Sequence, residues 1–489
     1  MSSDADTSIL EKETIPTSAK IAFGASSLAS MLLSGIGLGG ALTYFYNIIY
    51  LLDEYWLNLG FTLFIVWNAV NDPILGFLED RTKTRWGRRI PYLRFGAPIY
   101  TLLFCLIWFP FAAPGSQLSL FLNFLIILYA FDTVYSMIGL ITYSLPAEMA
   151  ISSRARSNLM VYGAIASAMG TLLTFLIPDL LLTGADAPPL ELFVIVMVIL
   201  GIVSGVILFV SSYFIREKKY TQMEEPLTYK ESLVETFKNK PFLIFEGSNF
   251  SWLIAQYILI NGVFYYLDFV LELQGFMSLL PLIIFFLMIF ITTPIYSKLI
   301  DRYPLKKVFL FILIFTGITF LVHFFIGWVF SSAVIGMFML GIGFGGYFVT
   351  NQLIVAETID FDEVRTGKRR ETSYSGVNAL ITKPAVSLGP VLFLWIINEF
   401  GFSNDIANLN RTFNQTLDFI YISQSASAQL GIMIAFTIIP AIFILIAALL
   451  IAFFPLTGEE WIQQKVELEK THKQKEVEYL KKLEEEGKL

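Results

Sequence analysis

Apolar runs of twenty residues or more, separated by short polar breaks, recur along nearly the whole chain. A hydrocarbon core of about 30 Å takes about 20 helical residues to cross, so each run predicts a membrane-spanning helix. Twelve spans are expected, at about 20–50, 57–79, 91–113, 118–149, 157–183, 190–214, 241–271, 277–299, 306–330, 332–358, 373–400 and 427–454. The breaks alternate in character. Those after even-numbered spans are basic: Arg81, Lys83, Arg85, Arg88 and Arg89; Arg154 and Arg156; the run from Arg216 to Lys240; Lys298 to Lys307; Arg365 to Arg370; and the C-terminal tail. The opposite loops hold only Arg411. Basic residues stay on the cytoplasmic side, so both termini are expected inside.

Composition adds little to this pattern and excludes much. Hydrophobic residues make up 56% of the 489 and charged residues only 15%, against about 25% in an ordinary soluble domain. One cysteine, Cys105, rules out an intrachain disulfide, and His323 and His472 lie too far apart to suggest a histidine metal site. The first nineteen residues are polar and acidic, without the basic start and apolar core of a signal peptide, and are expected to stay as a cytoplasmic tail. No phosphate-binding loop of the GxxxxGK[ST] kind and no nucleophile–base constellation is present, which argues against ATP-driven transport and against an enzyme. His323 is expected to be a hydrogen-bonded packing residue. Gly341, Gly343, Gly345 and Gly346 are expected to allow close helix packing.

The polar signals come in pairs. Asp80-Arg81 with Gly87-Arg88-Arg89 between spans 2 and 3 is echoed by Asp301-Arg302 with Lys306-Lys307 between spans 8 and 9. Ala147-Glu148 after span 4 is echoed by Ala356-Glu357 after span 10. Two related six-helix halves are the plan of the major facilitator fold, with the solute site between the halves near the midplane. The expected division is a tail at 1–19, one half at 20–214, a linker at 215–240, the second half at 241–454 and a charged tail at 455–489. That last tail is read as a solvated charged helix first, with a partner-binding tail as the alternative.

Asp72 is the most informative single residue, because an ionisable group in hydrocarbon costs about 2.5–3.5 kcal/mol on insertion scales and so usually has a task. Its setting, Asn71-Asp72-Pro73, Gly76, Asp80-Arg81-Thr82 and Arg85-Trp86-Gly87-Arg88-Arg89, closely resembles the signature of the glycoside–pentoside–hexuronide:cation symporters of the major facilitator superfamily. Ala356-Glu357 through Glu371, Lys383, and Thr142-Tyr143-Ser144-Leu145 extend the resemblance over both halves. It implies an all-α membrane protein of twelve spans and a cation site on span 2. In that family two acids one turn apart form the site beside an asparagine. Here Asn68 replaces the first acid, Asn71 matches the asparagine and Asp72 the second acid. Lys383 aligns with a family lysine near mid-depth, about 16 Å into span 11, and Asp72 is its expected partner. Tyr135 is grouped with this set. A lone desolvated carboxylate has a raised pKa, which favours H+ over Na+ as the coupling ion. No cofactor is expected, and no metal beyond a sodium ion at Asp72. The plainer alternative makes Asp72 a structural ion-pair partner.

The acids that bind sugar elsewhere in the family are missing from spans 1 and 4. The remaining polar candidates for solute contact are Asp132, Thr142 and Tyr143 in span 4, Asn249, Gln256 and Asn261 in span 7, and Asn351 and Gln352 in span 10. Gating is expected of Asp80, Arg81, Arg88, Arg89, Glu148, Asp301, Arg302 and Glu357. Tyr-Leu-Leu-Asp at 50–53 and Thr-Lys-Pro-Ala-Val-Ser-Leu-Gly at 382–389 are similar to the sodium-dependent lysophosphatidylcholine symporters of the same family. The expected function is therefore cation-coupled symport of a small organic solute, a sugar or glycoside first. A lysolipid symporter and an uncoupled carrier or flippase are the alternatives. The expected partners are a small-molecule solute and the lipid bilayer, with no nucleic acid. The expected working unit is a monomer in the plasma membrane. Two N-x-Thr patterns, at Asn410 and Asn414, fall in the longest external loop.

Overall fold

A computed structural model describes residues 15–82, 84–150, 153–184, 187–216, 236–273, 275–367, 371–413, 421–458 and most of 460–471. It is helical almost throughout: α1 (Thr17–Ile49), α2 (Glu54–Arg81), α3 (Ile90–Ile107), α4 (Gln117–Met149), α5 (Ser153–Leu181), α6 (Leu190–Phe214), α7 (Lys240–Val270), α8 (Phe276–Ile300), α9 (Leu305–Ile326), α10 (Phe330–Thr366), α11 (Glu371–Glu399) and α12 (Ala426–Ala452). A short helix, Asn404–Phe413, precedes α12. Among the described residues, eleven helices are long and apolar enough to cross a membrane. The second expected span falls on α2, whose 28 residues have the length but which is not one of the eleven. The count of twelve and the side on which the termini lie stay as sequence expectations. The side chains of Asp72, Asp80, Arg81 and Tyr143, residues 1–14, most of the linker, Asn414 and residues beyond 471 lie outside the described residues.

The halves share one packing plan. In the first, α1 packs on α5 and α6, α3 on α4 and α6, and α2 on α4. In the second, α7 packs on α11 and α12, α9 on α10 and α12, and α8 on α10. The repeat reaches fine detail. Both α1 and α7 end in a wide π turn, Phe45–Ile49 and Tyr266–Val270. Each is followed by a non-glycine residue in the left-handed region, Leu51 at φ 56° and Glu272 at φ 51°. Amide–carbonyl bonds fix the two exits alike, Leu52 N to Tyr46 O at 2.9 Å and Leu273 N to Leu267 O at 3.0 Å.

Without a hydrophobic force between helices in lipid, small residues decide where backbones approach. The inner stripe of α6 holds Gly201, Ser204 and Gly205, with Thr101 of α3 packed against Gly205. Its outer stripe of Ile195, Ile199, Ile202 and Val206 is exposed. In α10 the four glycines face α8 and α9: a methyl group on Gly341 would meet the Phe285 carbonyl, and one on Gly343 the Thr316 side chain. His323 is a packing residue, fully buried against Tyr266 and Phe436. Its expected hydrogen bond is not found, since neither ring nitrogen has a partner among the described residues. The buried imidazole is held here by ring contacts.

The halves meet through α2 against α11, α5 against α8, and α1 against α7. At the end away from the basic loops (the far end), polar bonds join them. Thr43 Oγ1 donates to Asn261 Oδ1 at 2.8 Å, Tyr44 OH to Asp268 Oδ2 at 2.5 Å, and Tyr265 OH to Asn47 Oδ1 at 2.7 Å. Ser278 Oγ donates to Asp179 Oδ2 at 2.6 Å. Gly40 makes the crossing possible, because a side chain there would strike the Ile260 carbonyl. Removing a hydroxyl that serves a buried carboxylate costs about 1–3 kcal/mol. Tyr44→Phe is therefore expected to lower the unfolding midpoint in detergent and to raise maleimide labelling of a cysteine placed at Thr43. Unchanged labelling and midpoint would mean that this seam does not hold the far end shut.

Candidate functional site

Two polar layers sit inside the bundle. The first spans the interface between the halves. Asn68 and Asn71 of α2 are 2% and 5% exposed, and Asp132 of α4 is 1% exposed. Asn71 Nδ2 donates to Asp132 Oδ2 at 3.0 Å. One turn along α4, on the same helix face, Ser136 Oγ accepts from Lys383 Nζ at 2.7 Å. The ammonium of α11 thus crosses from the second half to within a turn of a buried carboxylate in the first. Asn68 Oδ1 is buried with no hydrogen-bond partner among the described residues, one turn from Asn71 on the same helix face. Tyr135 is half-buried next to Ser136. The expected contact between Lys383 and Asp72 lies outside the described residues. Asp132, expected as a solute contact, stands beside the amide of the cation set.

The second layer lies in the C-terminal half. Asn249 Oδ1 accepts from Tyr347 OH at 2.6 Å, and the Tyr347 ring stacks on Trp252 at 3.7 Å between centroids. Trp252 Nε1 donates in turn to Gln256 Oε1 at 3.1 Å. Glu246, 1% exposed, accepts from Asn378 Nδ2 of α11 at 2.8 Å. Asn351 Oδ1 is buried without a partner among the described residues.

The other expected solute contacts separate. Thr142 turns its hydroxyl back to the Ile138 carbonyl of its own helix at 2.9 Å, and Gln352 is exposed. Asn261 belongs to the far-end seam, with its amide also donating to Tyr257 O. Twenty-one residues into α7 at 1.5 Å each, about 30 Å, it sits beyond mid-depth. Among the residues that escaped the reading of the sequence are Ser136, Glu246, Trp252, Tyr347 and Asn378. Glu246 carried a readable signal, an acid inside an apolar span, of the same kind as Asp72. Ser136 and Asn378 carried none, since single hydroxyls and amides are common in such helices.

At the basic end, Arg89 bridges Glu79 of α2 at 2.8 Å and Glu148 of α4 at 2.6 Å, and Arg88 reaches the same Glu148 at 2.7 Å. The expected gating group is thus a charge cluster within one half, drawing in Glu79 as well. Asp301 and Arg302 are exposed in the turn after α8. Glu357 pairs with Lys465 of the tail at 3.2 Å, and Trp461 is buried against Phe361. The first turns of the tail are therefore docked on α10, not free in solvent as expected, because an indole and an ammonium there find an aromatic ring and a carboxylate. Asn410 is 2% exposed, and its amide is paired in both directions with the Ile422 backbone.

A family profile described as MFS/sugar transport protein matches residues 22–458. The chain belongs to that family. It is a multi-pass membrane transporter, not an enzyme. It is 23% identical over 411 residues to the "Glucuronide carrier protein homolog" of Escherichia coli (strain K12), covering 83% of this chain and 86% of that protein. It is 29% identical over 175 residues to "Transmembrane protein 180" of Gallus gallus, a match that covers only 33% of each. The crystal structure of a D-xylose–proton symporter superposes with a TM-score of 0.62 at 15% identity, covering 89% of this chain and 97% of that one, and so shares its fold.

Glu148 serves two guanidiniums, and its side chain is 4% exposed while that of Arg89 is 8%. Removing one partner of a buried pair costs about 3–5 kcal/mol because the remaining charge stays buried. Glu148→Gln is expected to destabilise the N-terminal half by that order in thermal unfolding. Arg88→Gln, at a side chain 23% exposed, is expected to cost clearly less. Equal effects would mean that Arg88 is as embedded as Arg89.

Proposed function

We propose that the protein is a cation-coupled symporter that carries a sugar-like solute, a glycoside first, across the cell membrane by alternating access. The observation that carries this reading is the link from Lys383 to Ser136, one turn from Asp132, across the two halves. An ammonium and a carboxylate near mid-depth are costly unless matched. Asp72, Asp132 and Lys383 together bear one net negative charge, which a single monovalent cation balances. In this reading the cation enters beside Asp72 and Asp132, with Asn68 Oδ1 as a further oxygen. It weakens the pull on the Lys383 ammonium, and α11 is released from α4. The halves can then rock, and the solute bound between them changes side.

Asp132 alters the expectation about the ion. A proton suits a lone carboxylate, whereas two carboxylates and an amide carbonyl form a hard oxygen set of the kind sodium also takes. The coupling ion proposed is accordingly one monovalent cation, H+ or Na+. For the solute, the polar layer of Asn249, Tyr347, Gln256 and Asn351 is the proposed binding wall, because a sugar hydroxyl left unpaired in a dry site is penalised.

Proteoliposomes test this directly, with p-nitrophenyl glycosides and glucuronides in one panel and lysophosphatidylcholine in another, each under an imposed proton or sodium gradient. Glycoside accumulation is expected, driven by one of the two gradients. Asp72→Asn and Lys383→Gln are expected to abolish accumulation while leaving gradient-free exchange within about tenfold. Lysolipid uptake alone would replace the solute assignment, and uptake indifferent to both gradients would reduce the protein to an uncoupled carrier.

A further inference from the structure

Glu246 has no part in the scheme above, and its surroundings are unusual. It lies six residues into α7, about 9 Å from the basic end of that helix at 1.5 Å per residue. Its residue is 1% exposed. One carboxyl oxygen, Oε1, accepts from Asn378 Nδ2 at 2.8 Å, and the Asn249 amide lies beside the group. The other oxygen, Oε2, is buried with no hydrogen-bond partner among the described residues. The helices around it offer no counter-charge among those residues. α10 presents Tyr347, engaged with Asn249, while α12 brings Leu450 against the adjacent Gly247. α11 brings Asn378, with Lys383 five residues further on and turned to Ser136. The nearest charged positions on α7 itself are Lys240 and, before it, Lys238, well over a turn away.

An ionised carboxylate sealed from water with one oxygen unpartnered and no cation facing it is among the most costly arrangements a protein can hold, and such a group neutralises instead. The amides around Glu246 turn N–H groups toward it, since the Asn249 carbonyl is taken by Tyr347 and Asn378 donates. That is not the oxygen cage a metal cation needs. A proton needs only one oxygen. We infer that Glu246 is a proton-binding site of the C-terminal half, separate from the site at Asp72 and Asp132, and that it holds its proton in this conformation.

Its position gives that proton a lever. Asn378 and Lys383 are five residues apart on α11. One ties the helix to α7 of its own half, and the other ties it to α4 of the opposite half. Movement of α11 away from α4 changes the Asn378 contact as well, opens Glu246 toward the basic end and lets the proton leave. Protonation at Glu246 and ion binding near Lys383 thus act on one helix at two depths. The inference about transport rests on the proposed symport; the inference about the bound proton does not.

Infrared difference spectroscopy on the purified protein in lipid separates the two. Wild type is expected to show the carbonyl band of a protonated carboxylic acid at neutral pH. That band is expected to be lost in Glu246→Gln and retained in Asp72→Asn and Asp132→Asn. Asn378→Ala, which removes the donor to Oε1, is expected to move the band to higher frequency without abolishing it, and this variant answers the question if Glu246→Gln does not fold. Absence of the band from wild type at neutral pH, or its survival in Glu246→Gln, would overturn the assignment. In proteoliposomes, exchange of p-nitrophenyl β-D-glucuronide is expected to lose its pH dependence in Glu246→Gln while continuing at neutral pH. An unchanged pH profile there would confine Glu246 to a static proton and sink its role in turnover. If wild type fails to move the glucuronide, the symport reading fails and the infrared result still stands.

Discussion

The cost of a charge or an unpaired polar atom in a medium without water orders this molecule. A carboxylate or ammonium at mid-bilayer loses several kcal/mol unless it finds a partner or faces a polar cavity. The chain answers in three ways, one at each depth. At the basic end, Glu79, Arg89, Glu148 and Arg88 neutralise one another within a single half. At mid-depth, Asp132, Asn71, Ser136 and Lys383 meet across the two halves. At the far end, hydroxyls and amides close the seam, and a carboxylate bonded across α1 and α7, Asp268, is held by a tyrosine. Charges that stay within a half can remain paired while the halves rock. The pairs that cross between halves must be broken and remade, so those are the ones that can be coupled to an ion.

The same argument explains why α11 matters more than its sequence suggests. It packs on α7 of its own half and on α2 of the other, and two half-buried polar side chains, Asn378 and Lys383, reach Glu246 of α7 and Ser136 of α4. A helix with a bond to each half is bistable when the halves move, because it cannot satisfy both in every conformation. Bistable elements of this sort turn a local change of charge into a rigid-body movement. The docked start of the tail adds a third restraint on the second half, since Lys465 and Trp461 hold the end of α10.

Much of this was legible in the sequence, and what was not has a physical reason. Span positions, alternating basic loops and paired motifs are written in runs of residues, so they survive reading one residue at a time. The fold class and the family followed from them. The ion pairing of Glu148 could be read as well, since an acid before a basic loop has guanidiniums within reach. Partnerships could not. Nothing local distinguishes Asn261, which seals the far end, from Asn249, which lines the inner layer; only depth along α7 separates them. Asp132 was read as a solute contact from its residue type and span, and only helix packing brings it onto Asn71. His323 was expected to have a hydrogen bond because buried polar groups usually do, and it is instead held between aromatic rings.

The position of Asp132 bears on how the chain can differ from its relatives and still couple an ion. The family pattern places two acids one turn apart on span 2, and here the first is Asn68. A cation site needs a certain charge and number of oxygens, not a particular helix to supply them. Moving one carboxylate from α2 to α4 keeps the charge while changing what the site connects: an acid on α2 acts within that helix, whereas an acid on α4 lies one turn from the Lys383 contact. The ion would then sit nearer the tether it has to release. Under the proposed symport, the replacement at position 68 is a relocation of the site's second charge, not its loss.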